Sequence, residues 1–166
     1  MAKTLTRATQ PGLYDEDFYV WSQKQAELLR AGRFEELDLP RLIEEVEDLG
    51  ASQRRDVFSR SQRILQHLLK LQFSTAVEPR AGWQQTIDDQ RDELELVLTP
   101  TLRKELEQTL PERYARARKR AAKDLARYGE PANLPPDCPY TIDEILDPDW
   151  LPANVHGISD PIPEGA

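Results

Sequence analysis

One histidine and one arginine stand at a spacing that could support cleavage of a phosphodiester. His67 follows Arg60 by seven positions, so on a helix the two side chains lie on nearly the same line, two turns apart. The histidine could act as a general acid or base near neutral pH, and the arginine could hold the phosphate. Because arginine is abundant in this chain, such a spacing arises easily by chance. Arg60 and His67 are therefore candidates for an alternative function only.

Polar residues also flank the apolar stripes of three predicted helices. Glu45, His67, Gln90 and Arg91 lie next to such stripes, and we expect them to meet at one edge of a helical bundle. The interpretation we favour is a hydrogen-bonded network in which Arg91 pairs with Glu45 or another carboxylate. A metal site built from His67, Glu45 and a further carboxylate is an alternative that no paired ligand spacing supports. We therefore predict no metal and no cofactor.

One predicted helix, between Pro111 and Tyr128, carries a row of basic residues. Those that recur every three or four positions are Arg113, Arg116, Arg120, Lys123 and Arg127. Such a row could follow the phosphates of a nucleic acid. No aromatic side chain stands between them at a base-reading position, because Tyr114 and Tyr128 belong to the apolar stripe. We favour charge matching with acidic segments of the same chain, and keep nucleic acid and a protein partner as alternatives.

Charge and composition exclude several classes of protein. The net charge is −8, and all of it belongs to residues 130–166, which hold eight acidic residues and no lysine or arginine. This balance disfavours nonspecific nucleic-acid binding by the whole molecule. The one cysteine, Cys138, excludes an internal disulfide, and its neighbour Asp137 suits it to packing rather than nucleophilic chemistry. The sequence has no glycine-rich phosphate loop. Because it has no signal-peptide core and no membrane-length apolar run, we expect the chain to be cytoplasmic.

Glycine and proline residues divide the chain into segments with helical periodicity. No segment alternates with a period of two residues, so the predicted class is all-α, a bundle of about five helices. We predict helices over Tyr14–Arg30, over Trp83–Leu98, around Leu102–Leu110, and over Pro111–Tyr128. Between Pro40 and Gln72 we favour two segments in near-continuation that meet near Gly50, with one long kinked helix as the alternative. An apolar stripe of Leu42, Val46 and Leu49 marks the first of the two segments in near-continuation.

The C-terminal part of the chain differs from the helices, because residues 130–166 hold eight of the 13 prolines. Its apolar residues, together with a capping box from Thr141 to Glu144, predict an ordered strap over residues 130–152 that lies on the bundle. We expect this acidic strap to cover the basic helix. The predicted single domain spans residues 14–152, after a flexible leader over 1–13 and before a mobile tail over 153–166.

Several short motifs, in their order and spacing, resemble a bacterial family designated domain of unknown function 29, common in cyanobacteria and proteobacteria. The motifs are Tyr14–Tyr19 with Trp21, Glu44–Gly50, His67–Lys70, Trp83 with Thr86–Ile87 and Gln90–Arg91, and Cys138–Tyr140 through Leu151–Pro152. The chain departs from the pattern at Leu71, where an aromatic residue is expected, and at Leu134, where phenylalanine is expected. The resemblance implies a compact helical domain and no catalytic residues.

Together these observations predict a small cytoplasmic interaction or regulatory module without catalysis, with a protein partner and no membrane. The alternative is an RNA-directed enzyme or RNA-binding protein that uses Arg60, His67 and the basic helix over residues 113–127. Arg60, followed by the polar Ser61, and His67 resemble the Arg–x(4–6)–His element of the HEPN-type helical ribonucleases. In such an enzyme, the histidine would transfer a proton and the arginine would hold the scissile phosphate.

Overall fold

The computed structural model of the protein describes residues 12–130 and 133–159. These residues form seven α-helices, a 3₁₀ turn at Phe34–Glu36 and no strand, which confirms the predicted all-α class. The α-helices are α1 (Leu13–Glu16), α2 (Phe18–Arg30), α3 (Leu39–Phe73), α4 (Arg80–Val97), α5 (Pro100–Gln108), α6 (Leu110–Arg127) and α7 (Ile142–Leu146). In this part of the chain no helix is both long and apolar enough to cross a membrane.

The first predicted helix is in fact two, α1 and α2, and Asp17 separates them. Asp17 has a non-helical backbone (φ −151°, ψ 88°), and its carboxylate accepts a hydrogen bond of 3.0 Å from the Val20 amide. An aspartate that satisfies an orphan amide in this way favours a new helix start over continuation of the preceding turn. Asp17 lies inside the predicted helix over Tyr14–Arg30, whereas in the structure it is the N-cap of α2.

The expected division near Gly50 is wrong, because α3 runs through it as one helix of 35 residues. Gly32 and Gly129, by contrast, have φ of +67° and +76° and directly follow the C-caps of α2 and α6. Gly50 has no positive φ, and no proline follows it in the rest of α3. A helical glycine costs only about 1 kcal/mol relative to alanine, which the hydrogen bonds of a long helix offset.

The chain divides into two compact units, one up to Ala51 and one from Ser52 onward. Within the first, Trp21, Gln25 and Leu28 of α2 are buried. The Trp21 indole donates to Asp38 at 3.3 Å, and the Gln25 carboxamide oxygen accepts from the Asp38 amide at 2.9 Å. The Tyr14 ring meets Trp21 edge-on, with the centroids 4.9 Å apart. This unit is held by a few aromatic and polar contacts rather than by a large apolar core.

The second unit contains the hydrophobic core. Side chains of α3, α4, α5 and α6 meet residues of the C-terminal segment there, and all are at most 6% exposed. Representative members are Val57, Ile64, Leu65, Leu68, Ile87, Leu94, Leu106, Tyr114, Ala117, Ala121, Leu125, Leu134, Tyr140, Ile142 and Ile145. Residues at helical spacing around Ile64, Ile87 and Ala117 face inward, as does Tyr114, whereas Tyr128, which the sequence places on the same apolar stripe as Tyr114, is 83% exposed.

Residues 133–159 contact the helices of the second unit through apolar side chains in the core and through hydrogen bonds to their backbone carbonyls. The Tyr114 hydroxyl donates to the Pro135 carbonyl at 2.6 Å, and Arg118 Nε donates to the Leu134 carbonyl at 3.1 Å. Thr141 caps α7 in the predicted capping box. Asn154 Nδ2 donates to two carbonyls at the end of α3, so residues next to the predicted tail boundary are hydrogen-bonded. The rest of that tail beyond residue 159, and the leader up to residue 11, lie outside the described residues.

Candidate functional site

Helices α3 and α6 border a polar cleft of about 350 Å³ in the second unit. Residues four, seven or eight positions apart share a face of a helix, which places the contributing side chains of each helix in one row. The cleft is lined by Ser59, Arg63, Gln66, His67 and Lys70 from α3, and by Arg120 and Asp124 from α6. Three permanent cations therefore share this small space with one carboxylate.

His67 is held in the neutral form and in one tautomer. Its Nδ1 lies 2.9 Å from the Arg63 carbonyl oxygen, which can only accept, so Nδ1 carries the hydrogen. Burial of the ring lowers the pKa of His67, and the charges of Lys70 and Arg63 lower it further, although the Arg63 carbonyl and Asp124 act in the opposite direction. At neutral pH the Nε2 atom therefore offers a lone pair, which can accept a proton or a hydrogen bond.

Lys70 and Asp124 form the ion pair that links the two sides of the cleft. Lys70 Nζ lies 2.8 Å from Asp124 Oδ2, and the Gln66 amide donates to the same oxygen at 2.7 Å. The ammonium also lies 5.7 Å from the centroid of the Trp83 ring on α4. Lys70 is buried, whereas 26% of the Asp124 side chain is exposed, so the pair is partly desolvated and the Lys70 charge depends most on its partner.

A larger cavity of about 590 Å³ adjoins the cleft, and Lys70 and Asp124 belong to the walls of both. Its aromatic side chains are Trp83, which is half-buried, and Tyr128, which is 83% exposed. The remaining residues that line it are Ala76, Glu78, Pro79, Leu125, Arg127 and Glu130. A cavity of this volume with aromatic walls and a few polar groups has the dimensions of a small-molecule site.

Arg60 does not line the cleft that contains His67. Its guanidinium forms ion pairs with Asp56, at 2.9 Å, and with Glu93 of α4, at 2.5 Å. The seven-residue spacing put the two side chains on one line, but the acids beside Arg60 draw its long side chain toward α4. The arginine that the structure brings to His67 is Arg63, one helical turn before it.

The structure likewise does not unite the four residues of the predicted polar cluster in one network. Arg91 donates at 3.0 Å to each of three carbonyl oxygens, those of Glu144, Ile145 and Trp150, rather than to a carboxylate. Glu45 accepts from the Tyr14 hydroxyl within the first unit. Gln90 is half-buried on α4, and His67 belongs to the α3–α6 cleft.

The basic residues of α6 have separate environments. Arg116 pairs with Glu112 at 2.7 Å, Arg113 lies over the Phe58 ring at 4.2 Å, and Lys123 is exposed. Arg120 lines the cleft and Arg127 the adjoining cavity. In the orientation that satisfies both groups, the Gln62 carboxamide oxygen accepts from Arg120. Two of the five proposed phosphate contacts thus border the candidate site.

Among the described acids of the C-terminal segment, none forms an ion pair with this basic row, although the sequence predicts that the acidic strap covers it. Asp143 pairs with Arg103 of α5, while Glu130 accepts from the hydroxyls of Ser74 and Thr75. The contacts of the segment with α6 use backbone carbonyls instead. Residues 130–166 also contribute buried members of the core. A variant that lacks them would therefore lose core packing as well as acidic charge.

Sequence reasoning found His67, Arg120 and Arg127 but missed Lys70, Asp124 and Trp83. The available signals were modest: Lys70 stands three positions after His67, and Asp124 is an isolated acid in a basic helix. Cys138 is half-buried, its thiol donates to the Tyr140 carbonyl, and burial raises its pKa, which suits a packing role. Within residues 12–130 and 133–159, no cluster of histidine, cysteine and acidic side chains could hold a metal ion.

Comparison with known proteins connects this chain to one family. No curated protein and no solved structure shows a significant match. A family model described as a domain of unknown function, DUF29, matches residues 13–151, which is most of the chain. The span agrees with that of the motifs from Tyr14 to Pro152, and the chain therefore belongs to the DUF29 family.

Proposed function

We propose that the protein is a non-catalytic adaptor whose first unit binds a basic, amphipathic helix of another protein. The observation that carries this proposal is the exposure of apolar side chains on the first turns of α3. Leu39, Ile43, Val46 and Leu49 are 54%, 50%, 62% and 71% exposed. Val46 and Leu49 belong to the predicted apolar stripe, Leu39 and Ile43 lie on the same side of the helix, and all four remain open to solvent. We call these four residues the α3 apolar face.

The charge of the first unit defines the chemistry of the partner. Residues 12–51 contain eleven acidic and four basic residues, a net charge of −7. Glu47 lies at the edge of the α3 apolar face, about 95° around the helix from its centre, and forms no ion pair with another described residue. A helix with basic flanks would complement these charges, whereas a second copy of the chain or an anionic membrane would be repelled.

The small core of the first unit supports the same conclusion. Among residues 12–51, Trp21 and Leu28 are the only buried hydrophobic side chains. Helices in water obtain most of their stability from packing of an amphipathic face. A partner helix on the α3 apolar face would bury apolar surface that is exposed in the unit by itself. Each Å² of apolar surface buried stabilises the complex by about 25 cal/mol.

The test uses a synthetic amphipathic helix of leucine and lysine heptads as the probe. The full chain should bind it, and the double substitution Val46→Asp, Leu49→Asp should weaken binding by at least about tenfold, measured by fluorescence anisotropy, because it places charge in an apolar contact. Leu96→Asp is the matched control, since Leu96 is 84% exposed on α4 and outside this unit.

Three outcomes would contradict the proposal. One is that the wild-type chain fails to bind the lysine peptide. Another is equal affinity for a peptide with glutamate in place of every lysine, which would show that the acidic residues of the first unit do not select a basic partner. The third is dimerisation of the wild-type chain in sedimentation experiments that the double substitution abolishes, which would make a second copy the occupant.

A further inference from the structure

We propose that the cleft and cavity between α3, α4 and α6 form a binding site for a nucleotide. The phosphate would lie in the cleft beside Arg63, His67 and Arg120, and the base in the adjoining cavity beside Trp83 and Tyr128. This site belongs to the second unit and is independent of the α3 apolar face.

The cleft has the charge and donors that a phosphate requires. Its one carboxylate, Asp124, is paired with Lys70, and no described acid forms an ion pair with Arg63 or Arg120. Two guanidinium groups without acidic partners can donate forked hydrogen bonds to phosphate oxygens. The neutral His67 is fixed at Nδ1, so its Nε2 atom can take up a proton and donate to a phosphate.

The adjoining cavity has the properties that a base requires. Trp83 and Tyr128 offer aromatic surface, and base–aromatic stacking contributes about 1–3 kcal/mol per base in other proteins. Along α3, Arg63 and Lys70 are seven residues and therefore about 10 Å apart. That separation suits a nucleoside monophosphate, with its phosphate near Arg63 and its ring beyond Lys70.

The surroundings of the site favour a single nucleotide over a nucleic-acid strand. Arg113 and Arg116, which lie toward the start of α6, are engaged by Phe58 and by Glu112. The walls of the cavity also carry Glu78 and Glu130, which would repel further phosphates. A strand leaving the cleft toward the start of α6 would therefore meet two arginines that already have contacts of their own.

Isothermal titration calorimetry of the full chain tests this site with AMP, GMP and CMP as probes, beside adenosine and inorganic phosphate. At least one nucleotide should bind ten or more times tighter than adenosine or phosphate alone. Arg63→Ala and Arg120→Ala should each weaken binding by about tenfold, and Tyr128→Ala by severalfold. All three residues are exposed, so the variants should fold, and Arg116→Ala on the same helix is the matched control.

The pKa of His67, compared with and without bound nucleotide, provides a second readout. A substitution that only disturbs the fold would not produce a shift that depends on the nucleotide. In the free protein His67 faces Arg63 and Lys70 of α3 and Arg120 and Asp124 of α6. Its pKa, measured by NMR from the imidazole proton shifts, should lie below the ordinary value of about 6.5. A bound nucleotide brings negative charge, so saturation with the best of the three nucleotides should raise this pKa.

Several results would overturn the nucleotide proposal. The first is absence of binding by all three nucleotides. Equal affinity for inorganic phosphate and for nucleotides would show that the cavity beside Trp83 and Tyr128 does not bind the base. Much tighter binding of a single-stranded RNA oligonucleotide, with a steep dependence on salt, would replace the nucleotide with an RNA strand. An unchanged pKa of His67 at saturation would place the ligand elsewhere.

Discussion

Replacing Arg91 with alanine should lower the free energy of unfolding by at least about 3 kcal/mol. Arg91 is 5% exposed, and its guanidinium donates to the carbonyls of Glu144, Ile145 and Trp150. Each donor removed leaves a carbonyl without its partner, and a buried polar group without a partner costs about 1–3 kcal/mol. The substitution also leaves a cavity where the side chain lay. Arg91 therefore connects α4 to the end of α7 and to Trp150, in the part of the chain that contributes Ile142 and Ile145 to the core.

Equilibrium urea unfolding, followed by far-UV circular dichroism, measures this effect. Arg116→Ala is a suitable control, because Arg116 is an exposed residue whose pair with Glu112 should contribute less than about 1 kcal/mol. Arg91→Lys should fall between the wild type and the alanine variant, since one ammonium cannot reproduce a planar fork of donors. A loss of less than 1 kcal/mol in Arg91→Ala would show that the guanidinium does not hold the segment.

Local sequence signals predicted the helices well because each depends on residues close in the chain. Gly32 and Gly129 end α2 and α6 through positive φ values that suit glycine. Thr99 followed by Pro100 begins α5, and Thr141 begins α7 through its capping box. Asp17 carried the same kind of signal. Its side chain accepts from the Val20 amide and so begins a new helix inside the segment predicted as one.

The partners of long polar side chains could not be read in the same way. Arg60 and His67 share a line on α3, but one contacts an acid of α4 while the other lines a cleft with α6. Helical periodicity fixes the direction in which a side chain leaves the helix, but not the contact that a flexible side chain selects. For Arg91 the selected partners are backbone carbonyls, which carry no sequence signature.

The apolar stripe of α3 shows a second limit of sequence patterns. The phase of the stripe continues through Gly50, yet Val46 and Leu49 are exposed while Val57 and Ile64 are buried. A pattern identifies the face that favours burial without identifying what covers it. The net charge of a long segment likewise hides how the charge is distributed along it. Residues 1–129 sum to zero, yet residues 12–51 are acidic and the residues that follow them are basic.

The Lys70–Asp124 pair leads to the other large expected effect. Asp124→Ala should destabilise the protein by about 3 kcal/mol at neutral pH, because it leaves the buried Lys70 ammonium without its counter-ion. A double-mutant cycle separates this penalty from the value of the pair. The double substitution Lys70→Met, Asp124→Ala removes both charges, and it should therefore be more stable than Asp124→Ala alone.

The pH dependence of this effect has a definite sign. Burial acts to raise the pKa of Asp124, but hydrogen bonds from Lys70 and Gln66 and the charges of Lys70 and Arg127 outweigh it, so the pKa is lowered overall. A carboxyl with a lowered folded-state pKa stabilises the protein above its unfolded value of about 3.9, and the contribution disappears as the pH falls through the folded value. The difference in unfolding free energy between wild type and Asp124→Ala should therefore be constant from about pH 5 to 7 and decrease below about pH 4. A difference that grows on acidification would show that the carboxyl is not ionised in this pair.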